Sequence, residues 1–492
     1  VMKYFLGIDF GGGASKATLL REDGEVCAVS SCEYPTYYPQ PGYAEQDPQD
    51  WVEAACKNIQ AVLAESGIRP QEIAALALDA ATHTAVILDE DFHVIRPAIY
   101  WTDTRCIAET EYLKEQYAGL IEKQVLHHPD TIWTLPQLLW LKKNEPDSWR
   151  QMRKILFAKD YVRHCFTGDY VTDYIEAQGS MMFDSQKMEW SKELCGILDI
   201  DIERMPKIVS PSDQTGCITG IAAKLTGLCE GTPVICGTTD TVMEVFAAGA
   251  VLKGQMVVKL ATAGRICVVT DRPYPDANLV NYSHVIDGLF YPGTATKSCA
   301  ASYRWFRDTF GGDYKELDKK AAKIPPGTDG LLFHPYLNGE LTPYANPRLC
   351  ADFIGIRASH TKAHFARAVM EGVAMSMLDC KTMLDHLCIA HEDTAAIIGG
   401  GGKSPIWRQM LSDVLGIRLL TMKHADSSFG SAMLAGTAAG IFENLEQAVG
   451  LCNKTVAETV PCTENTKKYA EIFQKYKAVQ KALEPIYNGE IK

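Results

Sequence analysis

Lys3-Tyr-Phe-Leu-Gly-Ile-Asp9-Phe-Gly11-Gly-Gly13-Ala-Ser-Lys16-Ala-Thr-Leu-Leu-Arg-Glu22-Asp23-Gly24-Glu25 is the stretch on which the fold turns. Tyr4–Phe10 is an apolar, β-prone run that stops at three glycines. Lys16–Glu22 is a second such run, Asp23-Gly24 a hairpin turn, and Glu25–Tyr34 a third run. Asp47-Pro48 then opens a helix, with Asp as N-cap and Pro in the first turn. Trp51, Val52, Ala55, Ile59, Val62 and Leu63 recur at helical spacing up to Gly67. Ile73–Leu78 returns as a buried strand. Hairpin, helix, strand is the order of a layered α/β domain.

The opening recurs some 250 residues later. Met256–Leu260 reads as a strand, Ala261-Thr262-Ala263-Gly264 as a small-residue turn, and Ile266–Thr270 as a second strand. Ala395–Ile398 runs into Gly399–Gly402, after which Ser404 caps, Pro405 opens and Gly416 closes a helix. Two such openings predict two related halves with a cleft between them, residues 1–248 and 249–492, the last helix able to pack back on the first half. A chain of 492 residues exceeds one ordinary core, which agrees with two domains.

Composition narrows the function. Hydrophobic residues make up 47% and charged residues 22%, as in ordinary globular chains. The net charge is −13, with no block of Lys or Arg, which argues against a nucleic-acid partner. An anionic ligand must then be held by local devices: backbone N–H groups, single lysines or a metal ion. No window carries about 18 uninterrupted apolar residues, so no membrane span is expected. The 16 cysteines form no C-x-x-C, and many sit in apolar runs such as Pro233–Cys236, the pattern of buried thiols in a reducing cytoplasm.

Several stretches carry chemistry. In Asp9-Phe-Gly11-Gly12-Gly13-Ala-Ser-Lys16, a carboxylate ends a strand and glycines let backbone N–H groups approach a phosphate. Asp9 can hold a metal's water shell and Lys16 adds positive charge. Asp240 follows the apolar strand Thr232–Cys236 and heads the helix-like Val242–Ala248, where the helix dipole favours an ionised carboxylate. A hydroxyl that accepts a phosphoryl group needs such a carboxylate to take its proton; a simple N-cap is the plainer alternative. Gly399–Gly402 with Lys403 and Ser404 fails the Walker-A spacing, because Ile397 stands where its first glycine belongs, but remains a glycine turn at a helix N-terminus. Gly430–Gly436 is a second small-residue helix start, suited to a flat ligand or to close helix packing. His83 and the cluster Trp101-Thr-Asp103-Thr-Arg105 offer the polar groups and aromatic wall of a sugar site.

Taken in order, these stretches resemble the FGGY family of carbohydrate kinases, its xylulose kinases most closely. Gly7-Ile-Asp9-Phe-Gly11, Gly42-Tyr-Ala-Glu-Gln-Asp47-Pro48 with Trp51, Trp101-Thr-Asp103-Thr-Arg105 and Lys159-Asp160-Tyr161 resemble family segments. So do Thr238-Thr-Asp240, Pro335–Pro343, Ala351–Gly372 and Ile398–Gly401 with Ser404. The resemblance covers nearly the whole chain. It implies an α/β, actin-like (ribonuclease H-like) two-domain ATPase fold with a central cleft, and ATP-dependent phosphorylation of a small sugar in the cytoplasm. The implied substrate is a ketopentose such as D-xylulose, with gluconate or another open-chain polyol as the alternative. Asp240 would be the general base and touch the sugar, together with His83, Trp101 and Asp103. Asp9, Gly11, Gly12, Gly13 and Lys16, with Thr262, Gly264, Gly400, Gly401 and Ser404, would hold ATP, and Asp9 would organise Mg²⁺ through water. A homodimer is the family-level expectation.

Four departures from the family pattern stand out. Gly12 and Gly13 replace the usual Thr and Ser. Ala261-Thr-Ala-Gly264 replaces G-T-S-G. Thr241-Val-Met follows Asp240, and Thr82-His83-Thr84 replaces M-H-G. The lost hydroxyls motivate a contrasting reading, a catalytically weak sugar-binding or regulatory relative.

Overall fold

The computed structural model describes residues 2–276 and 278–490; Val1, ahead of Met2, lies outside them. The chain divides into two compact units. The first contains the chain up to Val251, with Asn281–Leu289 and His424–Lys454; the second contains Leu252–Val280, Phe290–Lys423 and the chain from Thr455. The first change between units falls at Val251–Leu252. Two later segments nevertheless return to the first unit, and the last helix belongs to the second, which differs from a simple division into halves.

Each unit is built on a six-stranded sheet. In the first, Tyr4–Phe10 (β1), Ala14–Arg21 (β2) and Val26–Glu33 (β3) form an antiparallel meander. Ile73–Ala80 (β4) pairs parallel to β1, Gln214–Cys217 (β5) lies at the edge, and Pro233–Thr239 (β6) pairs parallel to β4. The order is β5-β6-β4-β1-β2-β3. In the second unit, Met256–Leu260 (β7), Gly264–Val268 (β8) and Gly293–Thr296 (β9) form the meander. Thr394–Ile398 (β10), Arg418–Met422 (β11) and the antiparallel edge strand Thr455–Thr459 (β12) complete it. Its order is β9-β8-β7-β10-β11-β12. Both sheets thus run meander, two parallel strands, antiparallel edge, the repeated plan that the two glycine-turn openings predict.

The helices of the first unit used below are Pro48–Ser66 (α1), Ala158–Thr167 (α2), Tyr174–Gly179 (α3) and Asp240–Ala247 (α4). The second unit contributes Lys362–His386 (α5) and Pro405–Leu415 (α6), the first takes back Ser427–Ala438 (α7), and the second ends in Thr463–Tyr487 (α8). The sequence sets these limits chemically. Asp47 accepts from the Gln49 N–H at the start of α1, and Gly67 ends it at φ +67°. Ser404 caps α6, Pro405 opens it and Gly416 closes it at φ +68°.

In the first unit, α1 covers β2 and β3 while α7 lies against β1, β2 and β4. Leu6, Ile8, Leu19, Trp51, Ile59, Val62, Leu76 and Leu78 fill the α1 side. On the α7 side the approach is so close that a Cβ at Gly7 would lie 1.9 Å from the Ser428 carbonyl oxygen. The small residues Gly430–Gly436 therefore serve helix packing: Gly430 lies against Met243 and Gly436 against Phe442 and Phe5. In the second unit, α5 is central, with Val369, Met370, Val373 and Met377 buried among Val258, Leu260, Ile266 and Trp407. Among the described residues no helix is long and apolar enough to cross a membrane, and no disulfide joins two cysteines.

Candidate active site

Three parallel strands of the first unit end side by side. Asp9 of β1 stands opposite Asp79 of β4, and Asp79 opposite Thr238 of β6. The carboxyl ends of parallel strands are where α/β sheets bind ligands. Asp79 is fully buried and accepts from the Ser431 hydroxyl on α7. Burial, and after it the Asp9 carboxyl beside it, push Asp79 well above the ordinary carboxylate range. Asp9 is half-buried; burial first, then the charges of Glu244 and Asp426, push it up to about 6. At low dielectric two neighbouring carboxyls each disfavour full charge on the other.

Asp240 follows at the next step. Thr239 is the N-cap of α4 and Asp240 its first helical residue, half-buried, so Asp240 is not the N-cap of the plainer alternative. The positive end of the α4 dipole bears on its carboxylate. Its charge contributes to raising both Asp79 and the buried Tyr100 hydroxyl, where burial is the largest cause. Lys16 lies within the same unit and pairs with Asp426, the N-cap of α7, at 3.1 Å.

The glycine turn beside Asp9 is held from outside. The Gly12 carbonyl accepts from Thr36 Oγ1 (2.9 Å) and Gln46 Nε2 (3.0 Å), and the Gly13 carbonyl from the Tyr34 N–H (3.1 Å). Gln46 Oε1 in turn accepts from Trp51 Nε1 at 3.1 Å, so the stretch from Gly42 to Trp51 braces the turn. A side chain at Gly12 would meet the Tyr100 hydroxyl at 2.9 Å, a physical reason for glycine there; a side chain at Gly13 would meet nothing within 4 Å. Gly12 and Gly13 are exposed, which leaves the turn open to a ligand.

His83 lies three residues beyond β4, buried, with φ +50°. Its N–H donates to Glu176 Oε1 and its carbonyl accepts from Thr134 Oγ1 at 2.7 Å. Its ring packs on Trp133 at 4.7 Å, Trp133 stacks on His127 at 4.2 Å, and the Tyr282 hydroxyl lies 3.4 Å from Nε2. Burial lowers His83 to about 3, so the imidazole is neutral at physiological pH. Trp101 is 39% exposed. Asp103 is held by internal partners. It is fully buried, its Oδ2 accepts from the Ala44 N–H (2.6 Å) and Arg105 Nη2 (2.8 Å), and its Oδ1 accepts from the Arg105 N–H (2.8 Å). Arg105 also pairs with Glu45 at 2.8 Å and stacks on Tyr43. Both carboxylate oxygens of Asp103 are therefore engaged in a brace within the unit.

In the second unit, Thr262 and Ala263 are exposed at the tip of the β7–β8 turn, while Gly264 is buried. A Cβ on Gly264 would meet Met377, Thr296 and Cys299 within 3.0 Å, so packing alone requires glycine here. Gly400 is open, since a Cβ there would meet nothing within 4 Å, whereas Gly401 lies against Leu260. Ser404 has its hydroxyl engaged, donating to Asp318 Oδ2 (2.6 Å) and accepting from the Trp407 N–H. The hydroxyl thus serves as the cap of α6.

Sequence reading passes over Asp79, Asp173 and Glu176. The signal for Asp79 is a lone carboxylate inside the apolar run Ile73–Ala80, a costly placement that an ordinary core avoids. Asp173 caps α3, pairs with Lys159 at 2.9 Å and accepts from Thr238 Oγ1 at 2.8 Å. Lys159, Asp160 and Arg163 of α2 form the rest of this fully buried charge network.

Among the described residues no group of three or more His, Cys, Asp or Glu side chains could enclose a metal ion. A magnesium ion that arrives with nucleotide phosphates needs only one or two carboxylates besides water and phosphate oxygens. Asp9 and Asp79 meet that need: both are oxygen donors, and each has an Oδ1 without a hydrogen-bond partner in a buried setting.

Comparison with known proteins agrees with this geometry. The N-terminal domain of the FGGY family of carbohydrate kinases matches residues 4–247, and its C-terminal domain residues 234–439. The xylulose kinase of Bacillus subtilis (strain 168) is 32% identical over 487 residues, covering 97% of both chains. The crystal structure of xylulose kinase from Rhodospirillum rubrum superposes with a TM-score of 0.90 at 25% identity, covering 99% of this chain and all of that one. That of gluconate kinase from Lactobacillus acidophilus gives 0.92 at 25% identity, covering the whole of both. With two actin-like sheet domains and both family domains matched in order, the chain belongs to the FGGY family of carbohydrate kinases and is an ATP-dependent carbohydrate kinase.

Proposed function

We propose that the chain phosphorylates a hydroxyl of a small open-chain sugar, D-xylulose first, with Asp240 as general base. The observation that carries this reading is the position of Asp240 at the head of α4, next to the strand ends that bear Asp9 and Asp79. In the reaction the sugar O–H bond breaks and its proton passes to the Asp240 carboxylate. The freed oxygen attacks the γ-phosphorus, and the bond from that phosphorus to the ADP oxygen breaks. Phosphoryl transfer needs positioning and charge stabilisation more than covalent chemistry from the protein, so one carboxylate base and a phosphate cradle suffice.

The other residues take their roles around it. Backbone N–H groups of Gly11–Gly13, with Lys16, would take phosphate oxygens; Thr262 and the open Gly400 would supply the second unit's nucleotide contacts. Asp9 would hold Mg²⁺ through water. When bound, that ion neutralises the charge that develops between the β- and γ-phosphates. Asp79, beside Asp9, would offer that ion a second carboxylate oxygen. Neutral His83, walled by Trp133 and Tyr282, can donate to or accept from a sugar hydroxyl or carbonyl.

Xylulose leads because a curated relative of that activity matches end to end. Gluconate is the second reading, supported by the likeness to the gluconate kinase structure. A coupled ADP-release assay over D-xylulose, L-xylulose, D-ribulose, glycerol and D-gluconate tests both. Turnover with D-xylulose well above the others supports the first reading, and preference for D-gluconate the second. No turnover with any sugar would favour a regulatory relative.

A further inference from the structure

His83 keeps an unfavourable backbone. A non-glycine residue at φ +50° persists only where its surroundings enforce it, and here three contacts do so. The N–H is tied to Glu176 Oε1, the carbonyl to Thr134, and the ring lies so close to Gly179 that a Cβ there would come within 2.5 Å of His83 Cδ2. Two of the three, Glu176 and Gly179, belong to the same short helix α3.

That helix is itself fixed. Asp173 Oδ1 accepts from the Ile175 N–H (2.9 Å), the Glu176 N–H (3.2 Å) and Thr238 Oγ1 (2.8 Å), while its Oδ2 pairs with Lys159. Thr238 stands two residues before Asp240. One buried carboxylate therefore sets both the helix that carries Glu176 and the strand that delivers Asp240.

We propose that Glu176 is a positioning residue for sugar recognition: by holding the His83 N–H it fixes the left-handed turn, and with it the direction of the imidazole. This rests on the reading above, in which His83 meets the sugar. The required property of Glu176 is an acceptor oxygen and not its charge. Burial pushes its carboxyl well above the usual range, which favours the neutral form, and a glutamine keeps the acceptor. Without the acceptor the turn loses its anchor, the backbone relaxes towards negative φ, and the ring leaves its place against Trp133.

The test compares Glu176→Gln, Glu176→Ala and His83→Ala, assayed with D-xylulose and MgATP, alongside hydrogen exchange of the peptide that contains His83, which needs no sugar. Glu176→Gln should keep the sugar KM within about threefold and the His83 amide protected. Glu176→Ala should raise the sugar KM roughly 5- to 100-fold, the cost of one buried hydrogen bond, with the ATP KM little changed and faster exchange at His83. A Glu176→Ala enzyme with native sugar KM, while His83→Ala raises it, overturns the proposal alone. Should His83→Ala leave the sugar KM untouched, the underlying reading falls, and the exchange result still decides whether Glu176 holds the turn. If Glu176→Ala does not fold, a Glu176→Gln enzyme with a strongly raised sugar KM or an unprotected His83 amide overturns the proposal.

Discussion

Asp9→Asn should make the ligand-free protein more stable and the enzyme inactive. Burial first, then the charges of Glu244 and Asp426, lift Asp9 from 3.8 to about 6, against the lowering effect of its contact with the Asp79 side chain. Proton linkage sets the sign of the effect. Below pH 3.8 the carboxyl is protonated in both folded and unfolded chains and contributes nothing. Between pH 3.8 and about 6 the unfolded chain gives up its proton first, so the folded state loses stability as the pH rises; above 6 the loss is constant. At 1.36 kcal/mol per pH unit the full gap is about 2–3 kcal/mol. Asparagine cannot ionise and recovers this amount, roughly 4–6 °C in the melting temperature of a domain of this size. The assay is thermal unfolding of both proteins between pH 4 and 7.5 in chelator-treated buffer, followed by kcat with saturating sugar. The gain should be near zero at pH 4 and reach its plateau above pH 6. Adding MgATP should then stabilise the native protein more than the variant. An Asp9→Asn protein no more stable than native at pH 7, or a difference that does not change with pH, would refute the picture of a strained carboxyl pair.

Three further outcomes follow from packing and burial. Gly7→Ala places a methyl 1.9 Å from the Ser428 carbonyl oxygen and should cost ~3 kcal/mol or more, read as a lost or sharply lowered urea midpoint. Glu371→Ala strips Arg367 of its 2.6 Å partner and removes the acceptor of the Tyr469 hydroxyl; the stranded charge should cost about 3–5 kcal/mol in unfolding experiments. His284 donates from Nε2 to the Ala250 carbonyl and accepts at Nδ1 from the Ile286 N–H, and burial lowers it to about 4. Its neutral form is favoured by folding, so its contribution is intact above pH 6.5 and falls as the pH drops towards 4. The loss is about 2 kcal/mol at pH 5, and a His284→Asn protein should show a flatter acid limb in its stability profile.

Elements governed by nearby residues are legible in the sequence. Caps and stops such as Asp47, Gly67, Ser404 and Gly416 act within a few residues, and the structure puts helix ends at each. Asp240 can be read because the switch from an apolar strand to a helix is local. What stays hidden depends on pairing across the chain. Asp79 becomes notable only once β4 lies in register with β1, which sets it opposite Asp9. Asp103 resembles a sugar contact in sequence because an aromatic and polar groups surround it, yet Arg105 folds back on it and the N–H of Ala44, almost 60 residues away, takes the second oxygen. The position of Ser404 after the glycines suggests a nucleotide contact, whereas the cap and Asp318 claim its hydroxyl. The return of α7 to the first unit has a sequence signal, the glycines at 7, 430 and 436, but only as a pair of surfaces whose meeting the sequence does not state.

In the proposed reaction Asp240 takes the proton of the sugar hydroxyl. Asp240→Asn preserves size and removes that capacity, so the direct measurement is kcat with D-xylulose and MgATP for the native and variant enzymes, alongside circular dichroism and sugar binding by calorimetry. With Asp240 as the base, kcat should fall by about 10²–10⁴-fold with fold and sugar affinity retained. An Asp240→Asn enzyme that turns over D-xylulose at close to the native rate would contradict it.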